Sequence, residues 1–233
     1  NRIRRNWRWT PWAGVPPITA NATATLAALP GYLSSSWGFR HDLQSGGALP
    51  LRHLLILSAL GGVIGAILLV ITPASVFTGI VPWLLLAATL LFAFGPQLME
   101  RLRRAGAAEA GWLTSALLLL AVAIYGGYFN GGLGIVLLAA FTLLGFRNLH
   151  AMNGLKSVVS SVLSVVSTAT FILAGIIDWQ AALPLALASA LGGYLGARLS
   201  RRITNTTLLR GFVTLVGAVT TVIFFLRQTN FGA

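Results

Sequence analysis

Cysteine is absent from this chain of 233 residues, so disulfides, thiolate nucleophiles and cysteine-based metal sites are excluded. Acidic side chains are nearly absent too. Asp42, Glu100, Glu109 and Asp178 are the full complement, and none lies deep in an apolar run. No carboxylate pair, zinc motif, phosphate-binding loop or Ser/His/Asp constellation occurs at usable spacing. The sequence therefore offers no catalytic residue, metal ligand or cofactor to assign, gives no support to ATP-driven pumping by this chain alone, and does not read as an enzyme. Lysine occurs once, at Lys156. Charged residues of either sign make up 9% of the chain, against about 25% in soluble domains.

What fills the chain instead is apolar. Hydrophobic residues account for 56% and the mean hydropathy is +0.83, the composition of an all-α polytopic membrane protein in contact with a lipid bilayer. Apolar runs fall at about 18–37, 53–72, 76–96, 111–145, 149–174, 179–197 and 208–226, joined by short polar connections, of which 38–52 and 97–110 are the longest. The net charge of +12 does not indicate a nucleic-acid partner. Fifteen of the sixteen cations are arginines, and most sit between apolar runs, where positive-inside bias places them. Residues 1–13 form a basic, aromatic segment suited to a membrane interface, or a non-native start.

The run from Gly111 to Gly145 is uncharged for 35 residues. A bilayer core of about 30 Å needs roughly 20 helical residues, so one straight crossing would be far too long. At its middle stands YGGYFNGGLGI, Tyr125 to Ile135, with five glycines between Gly126 and Gly134. Such a stretch has little propensity to remain helical. The expected solution is a broken element, two-pass or re-entrant, whose non-helical backbone lines a protected cavity.

An internal repeat organises the rest. SALGGVIGA (Ser58 to Ala66) recurs as SALGGYLGA (Ser189 to Ala197), 131 residues further on and identical at seven of nine positions. The same offset pairs Gly14 with Gly145 and Ala20 with Ala151. Residues 14–110 then form a first repeat of three spans, and 111–233 a second repeat of the broken element plus three spans. Projected back, the glycine-rich break falls before residue 1, so the first repeat reads as lacking its own copy. The small-residue spacing at Gly61/Gly65 and Gly192/Gly196 is assigned to helix packing.

Charge supports a two-pass centre. If 111–145 leaves and returns to one side, that side collects ten arginines (40, 52, 101, 103, 104, 147, 198, 201, 202 and 210), and the other keeps Arg227 and the N-terminal cluster. Each repeat then makes an odd net number of crossings, so the two are inverted.

Candidate substrate contacts follow from polar groups at membrane depth. Lys156 lies about 10 Å along its helix, either a functional cation or a side chain that snorkels to the headgroups. Asn153, Ser157, Ser160, Ser164 and Ser167 share a face with it; packing is the preferred account of the serines. Asn153 and Lys156 both donate hydrogen bonds and make an anion-binding face. Tyr125, Gly126, Gly127, Asn130, Gly131 and Gly132 belong to the break. Asn21, Thr23 and Thr25 lie on the offset partner of the Lys156 helix and are expected to face it.

Several of these stretches resemble one family. YGGYFNGGLGI, then LHAMNGLKSVVSSV (Leu149 to Val162), then IDWQAALPLALASALGGYLGARLSRRI (Ile177 to Ile203) are similar to the TauE/SafE family of sulfite-exporter-like membrane proteins. GVPPITANATATLAALPGYLSS (Gly14 to Ser35) resembles that family's first repeat after its glycine-rich motif. The resemblance implies a bacterial inner-membrane permease for sulfite, organosulfonates or related small anions. The expected function is thus alternating-access transport of a small anion. A proton- or cation-coupled carrier of another metabolite, or an inactive truncated remnant, stays open as an alternative, and so does a homo-oligomer.

Overall fold

The computed structural model describes residues 15–38, 49–104, 111–146 and 149–200, with 214–215, 218–219 and 221–223 beyond them. The run at 208–226 therefore lies largely outside the described residues, as do residues 1–13 and most of 38–52. Seven helices are described: α1 (Pro17–Gly38), α2 (Leu51–Ile71), α3 (Ala74–Arg104), α4 (Trp112–Tyr128), α5 (Leu133–Leu143), α6 (Leu149–Leu173) and α7 (Trp179–Ser200). Among the described residues there is no strand.

Local chemistry sets the helix ends. α1 opens on Pro17, whose fixed φ and missing N–H suit a first helical position. α2 stops before Thr72, which precedes Pro73 and is held extended at φ −71°, ψ 126°. At the end of α6, Gly175 N–H returns to Ile172 O at 3.0 Å and Ile176 N–H to Phe171 O at 3.2 Å, closing the last carbonyls. Asp178 caps α7, its Oδ1 accepting from the amides of Gln180 (3.0 Å) and Ala181 (3.2 Å). One of the four acids is thus a structural cap. Another, Glu100, pairs with Arg104 at 2.9 Å one helical turn away on an exposed face. Here the expectation of a loose connection from residue 97 is corrected: α3 runs on to Arg104.

Close approach of α2 to its neighbours is written in glycine. A Cβ on Gly61 would meet that of Ala123 at 2.5 Å, one on Gly62 would press on Val166 and Leu163, and one on Gly65 would run into the Ile124 carbonyl and the Tyr128 amide. The packing role expected at Gly61 and Gly65 is what these contacts describe. Gly192 departs from it. A Cβ there meets nothing within 4 Å, because this part of α7 looks outward. The repeated sequence thus packs inside in one copy and faces out in the other at that glycine.

Pairwise contacts fix helix directions. His53 stacks edge-on to Trp112 at 6.1 Å while Gly65 sits against Tyr128, so α2 and α4 are parallel. Gly62 meets Leu163 and Val166, and Leu69 shares a cluster with Phe171, so α6 runs the same way. Ser35 bonds Ser157 at 2.9 Å, whereas Thr23 bonds Asp178, beyond the end of α6, at 3.1 Å. α1 is therefore antiparallel to α6. Gly31 faces Ser189, which makes α7 parallel to α1. As α4 and α6 both begin at the end of the bundle where α2 begins, the chain from Trp112 to Leu143 departs from that end and returns to it.

Two cores hold the bundle. One, around Leu119, Leu137, Phe141 and Met152, gathers α2, α4, α5 and the first half of α6. The other, around Phe77, Phe129 and Phe171, sits at the opposite end. Large apolar side chains also cover the outside: Leu173 is 89% exposed, Trp37 70% and Leu187 67%. A surface this apolar matches hydrocarbon, not water. α2 and the segment Ala151–Leu173 are long and apolar enough to cross a bilayer by themselves, and parts of α3, α4, α5 and α7 are shorter apolar helices.

Candidate functional site

Between α4 and α5 only four residues, Phe129 to Gly132, leave the helical conformation. Phe129 is extended at φ −145°, ψ 109°, and its N–H closes on Tyr125 O at 2.7 Å. Gly132 is left-handed at φ 74°, a conformation in which any side chain would be strained. Leu133 N–H reaches Asn130 O only at 3.4 Å. Exposed backbone of this kind needs partners inside a bundle, and side chains from two helices supply them.

The partners form a connected set. Asn21 of α1 donates from Nδ2 to Tyr128 O at 3.0 Å, pairing a carbonyl that the end of α4 would otherwise leave open. Tyr125 donates from its hydroxyl to Gly131 O at 2.5 Å, bracing the break from within. Tyr32 of α1 donates to Asn130 Oδ1 at 3.3 Å. On α6, Lys156 Nζ donates to Asn153 Oδ1 at 3.0 Å. Because an ammonium can only donate, that contact fixes which amide atom of Asn153 faces it. The stem of Lys156 lies along the first turn of α5, where a Cβ on Gly134 would touch its Cδ at 3.4 Å.

Counting donors against acceptors gives the site its chemical sense. Asn130 Oδ1, Asn153 Oδ1, Tyr128 O and Gly131 O each already accept from a protein donor. Among these side chains the donors left over are the Nδ2 of Asn130 and the other N–H bonds of Lys156. Lys156 is half-buried, and its hydrogen-bond partner is neutral. An arrangement with spare donors, a positive charge and, among the described residues, no carboxylate beside it suits an anion.

The residues marked in the sequence do not all converge. Asn21, Tyr125, Asn130 and Gly131 join in the network, with Gly132 as its turn. Asn153 and Lys156 stand next to it through Gly134. Gly126 and Gly127 lie inside α4 instead: Gly126 packs on Leu133 and Leu163, and Gly127 on the Gly62 backbone. Thr23 faces away, accepting from the Asp178 amide, and Thr25 donates back to Asn21 O at 3.0 Å within its own helix. Tyr32 escapes a reading that stops at Thr25. Its signal was spacing, since residues 21, 25 and 32 recur at helical intervals on one face. Ser35 and Ser36 were missed as well; they bond Ser157 and Ser161, each at 2.9 Å. Ser167 donates to Gly62 O at 3.4 Å. For Ser157, Ser161 and Ser167, then, helix packing is the observed use.

Comparison with known proteins follows the same direction. The model of the family described as sulfite exporter TauE/SafE matches residues 10–223. A probable membrane transporter protein of Haemophilus influenzae is 33% identical over 214 residues, covering 89% of this chain and 80% of that protein. The probable membrane transporter protein ORF9 of a Sinorhizobium species is 28% identical over 193 residues, covering 80% and 70%. No solved structure matches the chain. With a helical bundle, an apolar exterior and a family match over nearly its whole length, the chain belongs to the TauE/SafE family of membrane transporters.

Proposed function

We propose that this chain is a bacterial inner-membrane permease that moves a small anion, sulfite or an organosulfonate or a related sulfur compound, by alternating access at the Phe129–Gly132 break. The observation that carries the reading is the spare donor capacity of Asn130 and Lys156. Four acceptors there already accept from Asn21, Tyr32, Tyr125 and Lys156, while Asn130 and Lys156 keep donors to offer. A half-buried cation with no carboxylate beside it among the described residues favours a negatively charged occupant.

The architecture fits two inverted repeats, 14–110 and 111–233. α6 is the sequence partner of α1 at the 131-residue offset, and the two run antiparallel across Ser35–Ser157. α7 is the partner of α2 and likewise runs opposite to it. The contacts exchange as well, α1 with α7 matching α6 with α2. In this reading α4, the break and α5 form one broken element entered and left from the arginine-rich side, with about 25 Å of helix on one limb and 16 Å on the other, so the break lies inside the bilayer core. A site between halves that rock against each other is the usual transporter solution. The inner-membrane assignment draws on that arginine asymmetry and on the bacterial origin of both relatives.

Purified protein in liposomes tests this directly. Sulfite flux is expected from the wild type, and Lys156→Ala should lower it by about ten-fold or more, the loss of one hydrogen bond to a charged ligand. Equal flux in the folded variant would remove Lys156 from the site. Absence of flux for sulfite, sulfate, thiosulfate and taurine alike in the wild type would overturn the anion reading, and flux that follows only an imposed proton gradient would favour a coupled carrier.

A further inference from the structure

Three hydroxyls on α6 are unexplained by packing. Ser160 and Ser164 are each 2% exposed and Thr168 is 4% exposed. Among the described residues the Thr168 hydroxyl oxygen is sealed from solvent with no partner, whereas the oxygens of Ser160 and Ser164, which bond no neighbouring helix, are not sealed. Their neighbours on the same helix behave differently: Ser157 and Ser161 bond α1, and Ser167 bonds α2. Leaving the Thr168 hydroxyl unpaired is unfavourable, and valine would fill its place without that loss. The three hydroxyls stand in a column along α6, spaced by four residues.

Helix geometry says where the column looks. At about 100° per residue, Ser160 and Ser164 fall between the flank that meets α1, marked by Ser157 and Ser161, and the flank that meets α4 and α5, marked by Leu163 and Lys156. That wedge is the one spanned by the hydrogen bond from Tyr32 on α1 to Asn130 in the break. Thr168 stands one turn further on, about 120° round from Lys156 and so on the α1 flank, toward the end closed by Phe129 and Phe171.

The geometry points to a second, uncharged oxyanion subsite, built from the hydroxyls of Ser160 and Ser164 with Thr168 at its far edge, that receives the anion after Lys156. This rests on the permease reading above and adds to it a route away from the lysine. A hydroxyl donates to an anionic oxygen while adding no charge of its own, so a ligand held there is released more easily than from an ammonium. The ligand class is a small oxyanion, whose separate oxygens can accept from the two serines and from Lys156 at the same time.

The test separates binding from packing. Ser160→Ala/Ser164→Ala and Thr168→Val are prepared in the full chain, and sulfite binding by titration calorimetry is measured beside thermal unfolding. The serine pair should weaken sulfite binding by about ten-fold, as expected for donors lost to a charged ligand, with a melting temperature equal to or above that of wild type. A melting temperature that falls while sulfite affinity holds would make the hydroxyls structural and overturn the proposal. Unchanged affinity and unchanged melting would overturn it too. If the wild type itself binds no oxyanion, the permease reading fails first and the subsite falls with it, which distinguishes the two failures.

Discussion

Asn21 and Tyr128 lie 107 residues apart in sequence, yet the Asn21 side-chain amide donates to the Tyr128 carbonyl at 3.0 Å. This contact ties the first described helix to the mouth of the break. It also settles a debt of geometry, since the last carbonyls of a helix have no partner within it. Asn21→Ala should destabilise the protein by about 1–3 kcal/mol, the cost of an unpaired buried carbonyl. Asn21→Asp should do worse, because an ionised carboxylate offers only acceptors to an oxygen. Thermal unfolding in detergent checks both, and Asn21→Ala melting with wild type would show that the contact contributes nothing.

Gly61 and Gly192 sit in equivalent places of the repeated sequence but should respond oppositely to alanine. At Gly61 the new methyl meets the Ala123 Cβ, the Ile124 amide and the Leu120 carbonyl, so α2 must move away from α4 at a cost of about 1–3 kcal/mol. At Gly192 it meets nothing, and the change should stay within about 0.5 kcal/mol. Equal melting of the two variants would contradict the packing described for α2 and α4.

Helix directions predict sidedness. The start of α2, the end of α3 and the start of α4 share one end of the bundle, and the turn before α7 lies at the other. The chain carries no cysteine, so single cysteines report without background. Arg104→Cys should react with a membrane-impermeant maleimide only from the cytoplasmic side, and Gln180→Cys only from the outside. Reaction of both from the same side would break the arrangement.

Much of this was legible in residues alone. Long apolar runs can be satisfied in lipid only as helices, so the helical class followed from composition, and the motifs around Tyr125 and Leu149 carried the family. Detail at the site was less accessible. Gly126 and Gly127 read like part of a loop, but their use depends on how near α2 and Leu133 approach, and a one-dimensional pattern holds no such distances. Thr23 looked equivalent to Asn21; a helical turn separates their directions, and only Asp178, 155 residues away, reveals which way Thr23 points. The end of α3 was misjudged because charge suggested a connection, where Glu100 and Arg104 instead stabilise another turn. Tyr32 was passed over for the opposite reason, an aromatic ring in an apolar run being ordinary until its hydroxyl is traced to Asn130.

α5 is bracketed by two glycines of left-handed backbone, Gly132 at φ 74° and Gly145 at φ 85°. Between them stand eleven residues of rigid rod. Such a rod, with a swivel at either tip and no charged side chain along it, can tilt without moving any charge of its own. The moving part of this machine would then be as small as a single short lever.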